Sequence, residues 1–246
     1  MIISALQEPD RILKKYHGLG ITPITWIYDA HIDPDKTGNW RPDLLGPQIE
    51  AIVPKDFDGY LGIDWEGVWL SAIHNGNEGN GPLKRGISLL RFVHTRRPNA
   101  RVGFYNIMRP RPLWSITAPG KVIDWEKNTE FGFPLFDRCD WLSINCYRNR
   151  DRYDDRGNHA EACYFAQQFG TVLAMDRVHY APDHPNREGG RRSLLLRTPA
   201  DITRHAQALV DAGAILSPWT PDKLSRRMDH RANCGRYYDA VSEVVT

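Results

Sequence analysis

Charge of one sign is what this chain conspicuously lacks. It has 246 residues with 32 Lys and Arg against 30 Asp and Glu, a formal net charge of +2. That balance gives no electrostatic footing for nucleic acid or an anionic membrane as partner. Cysteine is scarce too. Cys139, Cys146, Cys163 and Cys234 show no C-x-x-C spacing, so neither a thiolate zinc site nor a disulfide framework is implied, and buried free thiols are the expectation. No apolar run approaches the length of a membrane helix. The start, Met1-Ile-Ile-Ser-Ala-Leu-Gln-Glu-Pro-Asp10, has no basic n-region. The expectation is a cytoplasmic protein, or one exported without a recognisable signal peptide. Dinucleotide and phosphate-loop glycine motifs are missing, as is a nucleophile-elbow sequence.

What is present is alternation. Strand-like runs fall at Met1–Leu6, Ile21–Asp29, Asp58–Glu66, Arg101–Ile107, Trp141–Tyr147, Thr171–Tyr180 and Ala214–Trp219. Helical patterns fall at Pro9–His17, Asp43–Ile52, Pro82–Thr95, within Lys121–Phe136, at His159–Phe169, Pro199–Ala212 and Tyr237–Val245. Pro82–Thr95 is the clearest, with Leu83, Ile87, Leu90 and Val93 at helical spacing. Thr198 and Gly213 suit the two ends of Pro199–Ala212. Ala181–Arg192 reads as a polar loop, and the basic stretch Arg187–Arg197 as solvated chain. Several strands are continuous apolar runs, as expected when both faces are covered. This order predicts the α/β class: a TIM-like (β/α) barrel of about seven or eight parallel strands, in one domain spanning residues 1–246.

The strand ends favour the barrel over an open sheet, because they are polar or aromatic and a barrel gathers such ends at one mouth. They supply Trp26, Tyr28 and Asp29; Asp64 and Glu66; Tyr105 and Asn106; Asn145 and Tyr147; Asp176, Arg177 and Tyr180; and Ser217 with Trp219. Acids, amides, phenols and indoles suit a sugar, which offers hydroxyls to bond and ring faces to stack on. Few basic residues sit there, which suits a phosphate poorly.

Within Tyr60-Leu-Gly-Ile-Asp-Trp-Glu66, side-chain alternation puts Asp64 and Glu66 on one face and Trp65 on the other. Two carboxylates roughly 6–7 Å apart along a strand compete for a proton, so one can stay ionised while the other's affinity rises. That is the requirement for a general acid near neutral pH. His31 with Asp33 and Asp35, and His179 with Asp183 and His184, match no defensible ligand spacing. Neither a metal nor a cofactor is expected.

Ile63-Asp-Trp-Glu66 resembles the Ile-Asp-Trp-Glu strand end of the hyaluronidases, glycoside hydrolase family 56. Later segments are similar in order. Val102-Gly-Phe-Tyr-Asn106 resembles the family's Gly-Tyr-Tyr strand. Ser143-Ile-Asn-Cys-Tyr147 resembles its Pro-Ser-x-Tyr strand, and Met175-Asp-Arg-Val-His-Tyr180 its Tyr-Thr-Arg strand. Thr198–Trp219 resembles its last helix and strand. The chain departs from the family at Gly67-Val-Trp69, where Trp-Arg-Pro is usual, and lacks its cysteine pattern.

The resemblance implies a substrate-assisted glycosidase, an exception to the two-carboxylate scheme. Glu66 would be general acid and then base. Asp64 would orient and polarise the substrate's acetamido group, Tyr147 would hydrogen-bond it, and Trp219 would floor the sugar. Tyr28, Tyr105, Asn106, Asn145 and Asp176 complete the expected glycan-binding set. Two alternatives stay open at this point: a conventional Asp64/Glu66 carboxylate pair of another barrel family, and a carbohydrate-binding barrel without catalysis.

Overall fold

The computed structural model describes residues 2–4, 21–75, 80–108, 125–145, 162–177, 199–219 and 238–245. The expected helix Pro9–His17, the loop Ala181–Arg192 and the stretch Arg187–Arg197 lie outside these, as do Tyr147, Tyr180, His179, Asp183, His184, Cys146 and Cys234.

Apolar runs rich in β-branched and aromatic residues form the strands, here β1 (Ile2–Ser4), β2 (Ile21–Tyr28), β3 (Tyr60–Asp64), β4 (Arg101–Phe104), β5 (Trp141–Asn145), β6 (Thr171–Arg177) and β7 (Ile215–Trp219). All are parallel, and they neighbour one another in chain order. The curled sheet meets itself through a single register pair, Ile2 with Leu216. The architecture is a TIM-like α/β fold.

The helices follow the sequence pattern closely. After β2 come α1 (Asp29–Ile32) and α2 (Pro42–Ile52); after β3 come α3 (Gly67–Asn75) and α4 (Gly81–Arg96). Residues 125–136 are helical with a π-turn at Asn128–Gly132. Pro199–Asp211 is an α-helix that stops at Gly213, whose φ of +76° only glycine adopts cheaply. Helix α3 is the element the sequence reading passed over. Among the described residues no helix is long and apolar enough to cross a membrane.

Strand alternation splits the core in two. Ile27, Leu61, Ile63, Val102, Phe104, Leu142, Ile144, Val172, Ala174 and Leu216 pack outward with the helices. Ile24, Trp26, Tyr60, Tyr105, Trp141 and Leu173 form a separate interior cluster, joined at its edge by Tyr28 and Ile215. Cys139 and Cys163 are buried free thiols in the outer layer.

One row explains how the interior is filled. Trp26 registers with Gly62, Gly62 with Gly103, and Gly103 with Trp141. A Cβ on Gly62 would stand 2.4 Å from the Trp26 ring, and one on Gly103 would stand 2.2 Å from the Trp141 carbonyl oxygen. The two glycines therefore make room for two indoles, which meet edge to face at 6.2 Å. Below this row, Arg101 Nη1 donates to the Tyr60 hydroxyl at 3.2 Å.

Two connections hold helices to the barrel. Trp65 and Trp69 stack at 4.4 Å with their rings nearly parallel, and Trp69 stacks on Phe104 at 5.3 Å. Arg97, only 2% exposed, donates to the Val53 and Ile49 carbonyls at the end of α2 and pairs with Glu50 at 3.0 Å. The Ile49 carbonyl also accepts the Val53 N–H at 2.9 Å, so the guanidinium adds a second donor there and supplies one to the Val53 carbonyl just past the helix end.

Candidate functional site

The segment Asp64-Trp65-Glu66 sits where β3 becomes α3. The expected strand ran to Glu66, but β3 ends at Asp64. Gly67, at φ +66°, turns the chain into the helix. The Glu66 backbone N–H faces the carboxylate of Asp29, just past β2, and lowers its proton affinity. The Asp29 Oδ2 also lies 3.8 Å from where a Cβ on Gly67 would be, so the turn sits against the neighbouring strand. Trp65 goes outward and is 1% exposed, stacked on Trp69, as the alternation requires.

Asp64 faces the interior row that continues from Tyr28, its register partner. It is largely buried, and its Oδ1 has no hydrogen-bond partner among the described residues. Burial first, then the charges of Glu66 and Asp29, push its carboxyl up to about 7. Glu66 is exposed and close enough to act on Asp64 through its charge. One acid is thus sheltered and proton-retentive while the other is accessible.

Asp29 is a third carboxyl group in the arrangement. Its affinity for a proton is raised by burial and by Asp33, and lowered by the Glu66 N–H and by Lys36. Asp33 is itself engaged, accepting from the backbone N–H of Gly38 at 2.6 Å and of Thr37 at 3.0 Å. Asp35 pairs with Arg41 at 3.2 Å. These loop acids shape the β2–α2 connection. No group of three or more potential metal ligands occurs among the described residues.

The remaining expected residues divide by how they are placed. Tyr28 is half-buried and stacks with Trp26 at 6.5 Å. Tyr105, just past β4, is buried and meets Trp26 edge to face at 6.2 Å; its N–H donates to the Ile63 carbonyl at 2.9 Å. Asn106 follows at φ +53°, an uncommon conformation that asparagine tolerates. Its carbonyl lies 3.2 Å from His74 Nε2 on α3. Tyr28, Asp64, Glu66, Tyr105 and Asn106 are therefore brought to one end of the barrel by three adjacent strands.

Asn145, Asp176 and Trp219 are placed as backbone positions at the same ends of their strands, in the pairs Asn145–Met175, Asp176–Pro218 and Arg177–Trp219.

Two participants escaped the sequence reading. Asp29 was visible only as a polar strand end; its tie to Glu66 depends on the chain turning at Gly67. His74 lies on the unforeseen helix α3, and its contact with Asn106 is long-range. The interior hydroxyls of Ser143 and Ser217, like Asp64 Oδ1, have no partner among the described residues. They form a polar lining above the two indoles.

No family profile matches the chain, and no curated protein matches it by sequence. Among solved structures, bee venom hyaluronidase in complex with a hyaluronic acid tetramer is similar over 100% of both chains, with a TM-score of 0.67 at 15% identity. A second, monoclinic structure of bee venom hyaluronidase gives 0.65 at 14% identity, over 99% of this chain and 98% of that one. At these identities the likeness is one of fold.

Proposed function

We propose that this chain is a hyaluronidase-like glycoside hydrolase, one catalytic domain that cleaves an N-acetylhexosamine-containing polysaccharide by substrate-assisted acid/base catalysis. The observation that carries this reading is the pairing of a sheltered, proton-retentive Asp64, its Oδ1 without a partner among the described residues, with an accessible Glu66 two residues on. The full-length fold likeness to bee venom hyaluronidase, whose complex holds a hyaluronic acid tetramer, supports the same substrate class.

In this mechanism Glu66 protonates the glycosidic oxygen. The substrate's acetamido oxygen attacks the anomeric carbon, so no protein nucleophile is needed, and Glu66 then takes a proton from the incoming water. Asp64 offers the buried oxygen that a sugar amide N–H would satisfy, and its negative charge would stabilise the cationic cyclic intermediate. The proton belongs to the pair. Asp64 retains a proton up to about pH 7; in this reading it passes to Glu66 as the sugar amide engages Asp64, which leaves Asp64 charged, and above that pH the pair has no proton to deliver. Tyr28, Tyr105, Asn106, Asn145, Asp176 and Tyr147 line the sugar, with Trp219 beneath it.

The test is hydrolysis of hyaluronan-like and peptidoglycan-like glycans by wild type and Glu66→Gln. Wild type should release reducing ends, with kcat/KM falling as pH rises through about 7. The variant should lose turnover yet bind oligosaccharide and melt at the wild-type temperature, because exposed positions change stability by only about 0.5 kcal/mol. A variant with wild-type rates would exclude the assignment. Binding without turnover in the wild type would favour a carbohydrate-binding barrel.

A further inference from the structure

We infer that Asp29 is a positioning residue for this site, holding the Glu66 backbone at the strand-to-helix turn so that the Glu66 carboxylate stands beside Asp64. The inference rests on the glycosidase reading for its catalytic consequence, though its geometry does not.

Three observations converge on it. Asp29 begins α1 directly after Tyr28, and Tyr28 is the register partner of Asp64, so β2 delivers the carboxylate alongside the end of β3. The Glu66 backbone N–H faces that carboxylate and lowers its proton affinity. Its Oδ2 also lies 3.8 Å from where a Cβ on Gly67 would be, under the residue that bends the chain.

The position has an electrostatic consequence. Asp29 faces Asp33 and Lys36 from its own loop and Asp64 from the neighbouring strand. Together with Glu66, its negative charge adds to the effect of burial in making Asp64 hold its proton. A neutral hydrogen-bond acceptor at the same place would keep the turn and lose the charge. The two roles of Asp29 can therefore be separated by choice of substitution.

The experiment compares Asp29→Asn and Asp29→Ala with wild type, reading the Glu66 amide by hydrogen exchange and the Asp64 carboxyl by carbon NMR titration, alongside kinetics. Asn still accepts the Glu66 N–H. In D29N the amide should stay protected while Asp64 titrates at lower pH and the alkaline limb of kcat/KM moves to lower pH with it. In D29A protection of the Glu66 amide should fall. The kcat should then drop roughly a hundredfold with KM little changed, the scale expected when a reacting group is misplaced by about 1 Å. An unchanged Glu66 amide in D29A, or an unchanged Asp64 titration in D29N, would overturn the inference. Both readouts are independent of turnover, so inactivity of the wild type on every glycan would remove the parent reading and leave this one decided by NMR.

Discussion

Asp64 should leave a thermodynamic signature apart from any catalysis. Its carboxyl is held neutral up to about pH 7 in the fold, whereas in the unfolded chain it ionises near its ordinary 3.8. Between those values the native state binds a proton that the unfolded state does not, so stability falls as pH rises through the window and levels off above it. A shift of about three units corresponds to up to about 4 kcal/mol. Asp64→Asn removes this liability. Its melting temperature should exceed that of wild type at pH 8, and the gap should close by pH 4; a pH-independent difference would refute burial as the cause. The alternation of Asp64 and Glu66 was legible in the sequence. The ranking of causes was not, for competition between two acids was the visible one and burial proves the larger.

At the scale of elements, the register row Trp26–Gly62–Gly103–Trp141 makes an ordered pair of predictions. Gly62→Ala presses a methyl into the Trp26 ring, whereas Gly103→Ala presses one against the backbone oxygen of Trp141. A ring can tilt more readily than a strand can shift. Overpacking costs about 1–3 kcal/mol in typical cores, and Gly103→Ala should be the more damaging of the two by chemical denaturation; equal midpoints would place the indoles elsewhere. Strand boundaries were read from sequence to within a few residues because apolar runs end where the chain meets solvent. Helix α3 was not, since Gly67 hid its start and its short apolar face, Trp69, Leu70 and Ala72, follows Glu66 without a break. The same turn explains why Glu66 belongs to no strand: the Asp29 carboxylate and the left-handed Gly67 divert it.

Across the whole molecule, β3 and β6 have the most extensive pairing on both sides, whereas β1 contributes three residues and touches β7 through one pair. Native-state hydrogen exchange should therefore find the slowest amides in β3 and β6 and the fastest strand amides in β1. Uniform protection would contradict so slender a seam. The parallel α/β order was readable from alternating segments, because each strand needs a covering helix. The seam was not, because it depends on residues from opposite ends of the sequence meeting. Tyr28, Asp64 and Tyr105 could be named from parity and strand ends alone.

The two indoles across the barrel's waist have a mechanical corollary. With Trp141 sealed at 0% exposure and Tyr60 and Arg101 tied together beneath, the described residues leave no passage down the axis. A ligand arriving from the strand ends would meet these indoles as a floor and would have to leave by the way it entered.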